Sequence, residues 1–486
     1  MSTDSIAVCL MLPLAAAGGI ALANNRPNLR EAVSLVASAA LVLALLGLEP
    51  AVLAGNRPTL DLIEVMPGLV IAFEVEPLGL LFALVAAFLW FASAVYSIGY
   101  MRGNGEAHQT RFYLCFALAL AATVAIAFSA NAFTLLLFYE ALTFVTYPLV
   151  THHGDAEARN GGRTYLAFLL GTSVLFLLPA VIFTWHAAGT TDFRAGGILP
   201  EGMAPAAAAV LLAMYVFGIG KAALMPFHRW LPAAMVAPTP VSALLHAVAV
   251  VKAGVFSIVK IVVYLFGLDL LGGVSTHWLT ATAGFTVIAA SVVALGADNL
   301  KRRLAYSTVS QLAYVVLASA LLTPLSIVGA ALHIVSHAFG KITLFFAAGS
   351  IYTATGKTNV SQLDGIGLRM PWTMGAFAIG ALSMIGLPPA AGFVSKWYML
   401  SGAMSQAHWA AVMVIVASTL LNAAYLLPIV YRAFFRGVDA DSKPHGEAPL
   451  PIVLALVITA AATLMIFFMP GVPLALAHAL AFGACE

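Results

Sequence analysis

The sequence predicts an all-α polytopic membrane protein with about fourteen transmembrane helices. Hydrophobic residues make up 62% of the 486 residues and charged residues only 9%, whereas a soluble domain carries about 25% charged residues. Apolar runs of about 20 residues, the length needed to cross a bilayer, recur along the whole chain. We number them as spans 1 to 14, near residues 5–24, 31–55, 77–99, 111–130, 132–151, 163–187, 205–238, 241–266, 277–297, 304–322, 325–353, 374–402, 408–432 and 449–470.

Several other classes of protein lack support in the sequence. The first apolar run has no basic segment before it, which favours an uncleaved first span over a signal peptide. The three cysteines, Cys9, Cys115 and Cys485, are far apart and do not form a zinc or iron–sulfur motif. There is no nucleotide-binding fingerprint and no HExxH, and we interpret His152-His153 as a solvated turn. We therefore expect no cofactor, no metal, no catalytic site and no nucleic-acid partner.

The basic residues between the spans predict how the chain is oriented. Loops after odd-numbered spans carry 15 of them and loops after even-numbered spans carry 2, Arg57 and Arg194. Such a bias places the basic loops in the cytoplasm. We call the two sides the odd-loop face and the even-loop face, and we expect both termini on the even-loop, non-cytoplasmic face. The odd-loop bases are Arg26, Arg30, Arg102, Arg111, Arg159, Arg163, Arg229, Lys301, Arg302, Arg303, Lys357, Arg369, Arg432, Arg436 and Lys443.

Five lysines lie inside the spans instead: Lys221, Lys252, Lys260, Lys341 and Lys396. A lysine at the bilayer centre costs about 3 kcal/mol on insertion scales, so such groups usually face a polar interior and serve a function. Lys260 lies near the end of its span, where it could snorkel to the headgroups. Glu140 is the one carboxylate that the sequence places well inside a span. It either forms an ion pair that holds helices together or belongs to a proton relay.

Two spans contain proline beside a buried lysine and are predicted to break. Pro226 follows Lys221 in span 7, and Pro388-Pro389 precede Lys396 in span 12. Proline removes a backbone donor and clashes with the carbonyl four residues earlier, so we expect span 7 to break directly after Lys221 and the freed carbonyls to favour its ammonium. Matched broken spans indicate a transport path between repeats. Because the breaks are five spans apart, we predict inverted repeats over 111–266 and 277–432, preceded by helices 1–3 in 1–110 and followed by helix 14 in 449–486.

Histidines extend this polar route. His246 and Lys252 share span 8, about 9 Å apart along the axis. In span 11, His333, His337 and Lys341 recur every four residues and so line one face of the helix. Because histidine titrates near neutral pH, this stripe predicts a proton relay.

At these residues the chain resembles a known family, the antiporter-like proton-conducting membrane subunits of respiratory complex I, membrane-bound hydrogenases and Mrp-type cation/proton antiporters. The stretch KAALMPFHRWLPAAMVAPTPVSALLH, residues 221–246, is its most specific motif, and NLKRRLAYSTVSQ, residues 299–311, matches as well. The resemblance spans about residues 70 to 435. It implies fourteen helices with inverted five-helix repeats.

The resemblance also implies a role for each buried group. Glu140 and Lys221 would be the paired residues of the first half-channel, Lys252 the central lysine, and Lys396 the terminal lysine that exchanges protons with one side. His246, His333, His337 and Lys341 would complete the hydrated axis. On this basis we expect Glu140 and Lys221 to form an ion pair that tightens when Lys221 is protonated.

The chain looks most similar to the D-type subunit of an Mrp antiporter. The resemblance then implies proton translocation coupled to Na⁺ or K⁺ exchange in a bacterial inner membrane, together with other hydrophobic subunits. The alternatives are a subunit of complex I or of a membrane-bound hydrogenase, and so part of a redox-driven ion translocase, or a subunit of an inorganic-carbon uptake complex. A non-conducting scaffold is disfavoured because it has no reason to bury five lysines.

Overall fold

The protein is a bundle of membrane-spanning helices with one short β-hairpin. The computed structural model describes residues 3–274, 276–437 and 445–483, so Lys443 and Cys485 lie outside the described residues. Within these ranges, eleven helical segments are long and apolar enough to cross a membrane. The predicted fold class, an all-α polytopic membrane protein, is confirmed.

The first six spans are formed by eight helices, two of which are extensions of a neighbour. Their bounds are α1 Thr3–Leu22, α2 Pro27–Leu46, α3 Glu49–Leu53, α4 Pro77–Gly103, α5 Gln109–Ala127, α6 Ala132–Val150, α7 Ala156–Thr172 and α8 Leu178–Ala188. Between α3 and α4 the sequence analysis missed an antiparallel hairpin of β1 Thr59–Met66 and β2 Leu69–Glu74. Its turn contains Gly68 at φ +80°, a conformation that glycine adopts without steric cost.

The remaining spans follow in the same order as predicted. Their helices are α9 Pro205–Gly218, α10 Trp230–Ala233, α11 Thr239–Ala243, α12 Val250–Lys260, α13 Leu268–Gly272, α14 His277–Gly296, α15 Leu300–Ala320, α16 Pro324–Thr355, α17 Ile366–Arg369, α18 Pro371–Ile385, α19 Ala391–Ser405, α20 Trp409–Phe435, α21 Leu450–Phe468 and α22 Gly471–Phe482. Span 8 consists of α11 and α12 with π-helical turns at 244–248 and 261–266. The last predicted span, near 449–470, is α21, and a further helix that was not predicted, α22, follows it after Met469-Pro470.

Spans 7 and 12 are the two that are discontinuous near a lysine. In span 12, α18 ends at Ile385 and α19 begins at Ala391, with Pro388 and Pro389 between them. In span 7 the predicted point of the break is wrong, since α9 already ends at Gly218 and Lys221 lies inside the break. Side chains replace the helical hydrogen bonds here. The amide of Lys221 donates to the Tyr139 hydroxyl at 3.0 Å, and the indole of Trp230 donates to the Gly220 carbonyl at 3.0 Å.

Contacts between loops show that odd and even loops gather on opposite faces. On the odd-loop face, loops 9 and 11 meet in the bridge between Asn299 and Asn359, and Arg432 reaches back to Asp364 at 2.6 Å. On the even-loop face, Phe73 of the hairpin bridges to Ser129 after span 4. The chain therefore alternates between two faces as the span count requires.

Span 11 is the inner helix of the bundle. It is α16, 32 residues long, and its most apolar window is buried throughout. Helices α15, α18, α19 and α21 pack around it. At Gly340 a Cβ would lie 3.1 Å from the side chain of Ser383, so glycine allows α18 to approach closely. This position places the His333–Lys341 stripe in the centre of the protein.

Candidate functional site

Lys221 is held by the neighbouring helix α6. Its ammonium donates to the Tyr139 carbonyl at 2.7 Å and to the Thr143 hydroxyl at 2.6 Å, and it lies 3.2 Å from the centre of the Tyr139 ring. The side chain is fully buried. The predicted stabilisation by the carbonyls at the end of its own helix is wrong, because Lys221 lies within the break and turns away from α9.

The direct ion pair between Glu140 and Lys221 is absent from the structure. Both Glu140 carboxylate oxygens are shielded from solvent and have no hydrogen-bond partner among the described residues. The reason is geometric: Tyr139 and Thr143 occupy the hydrogen-bonding positions around the ammonium. Glu140 itself is half-buried, and it follows Tyr139 directly, so the carboxylate still influences the lysine at longer range.

Lys252 is the group that links span 8 to span 11. Its ammonium lies 2.5 Å from Nδ1 of His337. Both side chains are completely buried, and the Nε2 of His337 has no partner among the described residues. A nitrogen-to-nitrogen contact of this kind requires one proton between two bases, so the pair can pass a proton without moving its heavy atoms far.

His333 continues the path from span 11 towards the second break. Its ring lies 6.1 Å from that of His337 in a stacked arrangement. Its Nε2 is 3.0 Å from Oε1 of Gln311, and its Nδ1 is 2.9 Å from the hydroxyl of Ser395. Because both ring nitrogens have partners, His333 can take a proton at one nitrogen and release one from the other.

Lys396 ends this sequence of contacts. Its ammonium reaches back across the break to the last carbonyls of α18, at 3.1 Å from Met384 O and 2.8 Å from Ile385 O. Gln311 donates to the same Met384 carbonyl at 3.3 Å. The helix C-terminus that was expected at Lys221 is therefore found at Lys396, where its partial negative charge favours a cation.

Two predicted members lie beside this line. Lys341 donates to the Ser307 hydroxyl at 2.7 Å, and Ser307 also accepts from Tyr425 at 2.9 Å. His246 lies in the π-helical turn of span 8, with its ring 4.8 Å from that of Phe345. Neither nitrogen of His246 has a hydrogen-bond partner among the described residues. A buried imidazole of this kind normally binds water.

Between Lys221 and Lys252 there is backbone contact but no direct hydrogen bond among the described residues. Gly254 of α12 packs on the break in span 7, where a Cβ would lie 2.4 Å from the carbonyl carbon of Lys221. Glycine is required for this close approach. A proton that crosses from Lys221 to Lys252 therefore needs a bridging water or a change of rotamer.

The predicted snorkelling of Lys260 is wrong. Its side chain is 1% exposed and forms an ion pair with Glu76, with Nζ 3.2 Å from Oε1. Glu76 lies immediately before α4 and caps its N-terminus. In the sequence it stands outside the apolar run near 77–99, which is why the sequence alone leaves Glu140 as the one carboxylate well inside the spans.

The expected solvated turn at His152-His153 is also corrected. His152 is 3% exposed, and Arg111 donates to its carbonyl at 2.8 Å. Its ring packs edge-on against Phe112. Burial lowers the pKa of His152 to about 4, with the positive charge of Arg111 as the next cause. Among the described residues no group of three or more histidines, cysteines or acids could hold a metal ion.

A cavity of about 750 Å³ opens where the odd-numbered loops converge. Glu106, His153 and Lys301 line it, together with Tyr100 and Thr239 at the start of span 8. The ammonium of Lys301 donates to the Ala237 carbonyl at 2.6 Å. The cavity therefore gives the odd-loop face a polar depression that ends near the helix bearing His246 and Lys252.

The sequence analysis did not assign several residues that complete the site: Tyr139, Thr143, Ser307, Gln311, Ser395 and Tyr425. A signal existed for two of them, because Ser307 and Gln311 are polar residues four positions apart in an apolar span. The partners of Lys221 had none, since a backbone carbonyl leaves no trace in composition.

Fold and site together define a polytopic membrane protein whose core holds a row of ionisable groups. Residues 129–422 match the family described as NADH:quinone oxidoreductase/Mrp antiporter, transmembrane, and residues 68–113 match that of the complex I chain 5 N-terminus. The first match covers more than half of the chain, so the chain belongs to the NADH:quinone oxidoreductase/Mrp antiporter transmembrane family.

Individual relatives come from more than one kind of complex. The NADH-quinone oxidoreductase subunit N of Desulforudis audaxviator is 34% identical over 78% of this chain and 76% of its own length. One subunit of a probable K⁺/H⁺ antiporter of Rhizobium meliloti is 30% identical over 93% of this chain, which spans less than half, 46%, of that longer protein. A chain in the Mrp complex of Dietzia sp. has the same fold, with a TM-score of 0.86 at 21% identity, over 99% of this chain and 97% of that one.

Proposed function

We propose that this chain is a proton-translocating membrane subunit of a multisubunit monovalent cation/proton antiporter, of the Mrp D type. The observation that carries the proposal is the line of contacts from Lys252 through His337, His333 and Gln311 to the Met384 carbonyl and Lys396. It connects spans 8, 10, 11 and 12. Lys252, His337, His333 and Lys396 can hold or release protons, and the Gln311 amide and the Met384 carbonyl link His333 to Lys396 by hydrogen bonds.

Protons pass along this line from Lys252 to Lys396. A proton that arrives at Lys252 is shared with His337, and rotation of the imidazole rings delivers it to His333. From there the Gln311 amide and the Ser395 hydroxyl lead to the second break, where Lys396 is the last carrier before the aqueous phase. Because all of these groups are buried, each charge strongly affects the next one, so occupancy of one site drives release from its neighbour.

The first half of the path comprises Glu140, Lys221 and His246. Protons enter from the odd-loop cavity and gather at Lys221, whose movement towards Lys252 would leave the Glu140 carboxylate without a nearby cation. Glu140, Lys221, His246 and Lys252 lie in the first predicted inverted repeat, 111–266, and the histidines of span 11 and Lys396 lie in the second, 277–432. The distribution of basic residues supports a cytoplasmic odd-loop face with the termini outside, and the bacterial relatives support the inner membrane of a bacterium.

Glu140 also indicates that the chain works beside other membrane subunits. It lies on a face of α6 on which Leu137 and Phe144 are 39% and 59% exposed. Although both carboxylate oxygens are shielded from solvent, a charge this close to lipid is costly, so we infer that a neighbouring hydrophobic subunit covers this face. The relatives named as subunits of larger assemblies support this inference.

A complex I or hydrogenase-type subunit is the second candidate. It is favoured by the 34% identity to a subunit N over three quarters of both chains. The two functions differ in what drives the protons. In inverted membrane vesicles, addition of Na⁺ or K⁺ should dissipate an imposed proton gradient if the chain serves an antiporter, whereas only electron-donor oxidation should build one if it serves a redox complex.

Replacing Lys252 by Met tests the proton path itself. We expect coupled transport to fall at least tenfold, because the contact with His337 is lost and no titratable group replaces it. The measurement is the fluorescence of a pH dye in vesicles that contain the chain with its partner subunits, at matched protein level. Arg159→Met, on the exposed odd-loop face, is the control. Normal transport by Lys252→Met would overturn the proposal.

A further inference from the structure

The even-loop end of span 8 contains a charged network that the proposed path does not use. Lys260 lies on the same helix as Lys252, eight residues or about 12 Å further along. It pairs with Glu76 at the start of α4, and Arg57 pairs with Glu74 at the end of β2 at 3.3 Å. Tyr264 joins the two pairs, because its hydroxyl donates to Glu76 at 3.0 Å and the Arg57 guanidinium lies 5.5 Å above its ring.

The carboxylate of Glu76 accepts four hydrogen bonds. Its Oε1 accepts from the Gly79 amide at 2.8 Å and from Lys260, and its Oε2 accepts from the Leu78 amide at 2.7 Å and from Tyr264. Two of these four donors are the free amides at the N-terminus of α4, where the helix dipole favours negative charge. A buried ion pair is stable when further hydrogen bonds satisfy its groups, and these donors do so for Glu76.

The inner ion pair of this network is more buried than the outer one. The Lys260 and Glu76 side chains are 1% and 4% exposed, whereas Glu74 and Arg57 are 18% and 37% exposed. The rings of Phe193 and Phe256 flank the ammonium at 5.1 and 5.4 Å. The groups thus lead from the helix of Lys252 to the surface.

We propose that the buried ion pair between Lys260 and Glu76 is a plug that closes a short route for protons from Lys252 to the even-loop face. This inference rests on the proposed function. A neutral amine at Lys260 could accept a proton from the axis and pass it out, bypassing the second half of the path. An ammonium cannot accept a proton, and its charge repels one that approaches from Lys252. The pair therefore keeps transport coupled.

The test first replaces Glu76, the acid of the pair, and then also Lys260, its base. Glu76→Gln keeps the shape of the side chain and an oxygen that can cap α4, but it leaves Lys260 without a counter-charge in a buried site, where an unpaired charge is costly. We expect the passive decay of an imposed pH gradient to become at least threefold faster in vesicles carrying the chain with its partners. Adding Lys260→Met to Glu76→Gln should restore the slow decay, since no base remains.

The control is Asp192→Asn, which removes the acid of an exposed ion pair with Arg194 on the same face, 3.7 Å apart, and should not leak. The proposal is overturned if the pH gradient decays no faster with Glu76→Gln than with the parent. It is also overturned if the variant that carries both Glu76→Gln and Lys260→Met loses the gradient as fast as Glu76→Gln alone. Adding Lys252→Met to Glu76→Gln should also stop the leak if the route starts on the axis. If Lys252→Met alone transports normally, it is the proposed function that fails, and that result does not depend on any measurement of leak.

Should Glu76→Gln fail to accumulate, Lys260→Met alone decides the question. A plug predicts coupled transport within about twofold of the parent, because methionine is apolar and offers no carrier. A release path through Lys260 predicts a loss of at least tenfold. That loss would show that protons leave through the network and would overturn the proposal.

Discussion

The two broken spans carry the same elements, a lysine, glycines and prolines, yet they hold their lysines in different ways. In span 7 the ammonium of Lys221 leaves its own span and binds the carbonyl and hydroxyl of residues on α6. In span 12 the ammonium of Lys396 returns to the carbonyls of its own first half, at 2.8 and 3.1 Å, and has only a longer contact, 3.4 Å, with Thr419 of α20. Lys221 is therefore tied to the position of another helix, whereas Lys396 is tied to the geometry of its own break.

This difference assigns different tasks to the two breaks. A lysine whose ligands lie on a separate helix responds when that helix shifts or when its carboxylate, Glu140, changes partner. A lysine held by its own helix end has a fixed site with a constant partial negative charge, suited to exchanging protons with a nearby aqueous phase. We infer that Lys221 in span 7 responds to changes in the neighbouring helix, whereas Lys396 in span 12 releases protons to the aqueous phase.

The largest effect is expected at the two lysines. Lys221→Ala and Lys396→Ala should each reduce coupled transport to background, at least a hundredfold or about 2.7 kcal/mol in activation free energy. Lys396→Glu should retain part of it, because a carboxylate can still exchange protons near water, although the α18 carbonyls no longer favour it. Vesicle transport at matched protein level is the measurement. If Lys396→Ala transports like the parent, the path leaves elsewhere and the assigned roles are wrong.

The second-largest effect is expected where span 8 packs against the break in span 7. Gly254→Ala places a methyl group against the backbone of Lys221 and Ala222, so we expect a loss of stability of about 1–3 kcal/mol together with impaired transport. Thermal unfolding in detergent, followed by a dye that reacts with the buried thiols of Cys9 and Cys115, measures the first. Gly296→Ala is the control, because its Cβ meets nothing within 4 Å. Equal stability of both variants would show that the break tolerates displacement.

A smaller effect isolates the tie between Lys221 and α6. Thr143→Val removes the hydroxyl that binds the ammonium and keeps the shape of the side chain. A hydrogen bond to a charged group contributes about 1.5–3 kcal/mol, part of which the Tyr139 carbonyl can replace, so transport should fall several-fold. Thr146→Val removes a hydroxyl that contacts Tyr165 instead. An equal loss in both variants would mean that α6 is merely destabilised.

The smallest effect concerns the odd-loop end of the same helix. The pKa of His152 is lowered from 6.5 to about 4 by burial, so the folded protein keeps it neutral while the unfolded chain takes up a proton below pH 6.5. This group therefore does not change the unfolding free energy above pH 6.5, and it lowers the unfolding free energy as the pH falls from 6.5 towards 4. Between pH 7.5 and pH 5.5 this amounts to about 1 kcal/mol of unfolding free energy.

His152→Phe removes the titrating group and should reduce this acid sensitivity of unfolding. His153→Phe, at a more exposed ring, is its control and should leave the acid sensitivity of the parent in place. Unfolding temperatures in detergent at the two pH values give the comparison. An unchanged pH dependence in His152→Phe would assign the effect to another group.

The sequence predicted those features that depend on local covalent geometry and on spacing. Prolines 226, 388 and 389 indicate breaks because they cannot donate a hydrogen bond, and the spacing of His333, His337 and Lys341 gives one helix face in any context. The basic loops indicated alternation for a similar reason. Each of these signals is local to a few residues and does not depend on which helices are neighbours.

The partners of the charges could not be predicted, because they depend on packing. The carbonyl that binds Lys221 belongs to a helix 82 positions earlier, and a carbonyl is the same in every residue. Glu76 stands in sequence just before an apolar run, so only the fold reveals that it is buried against Lys260. The hairpin was missed because Leu60, Leu62 and Val65 alternate with acids over too few residues to stand out among long apolar helices.

The length of α16 has a consequence for the dependence of this protein on its lipids. Its 32 residues measure about 48 Å, well beyond the roughly 30 Å of a hydrocarbon core, and its apolar window is enclosed by protein. The spacing of His333, His337 and Lys341 is therefore insulated from bilayer thickness, whereas the exposed face of α6 beside Glu140 is not. Thinner or thicker membranes should alter how the subunit meets its neighbours and leave the internal spacing of its relay unchanged.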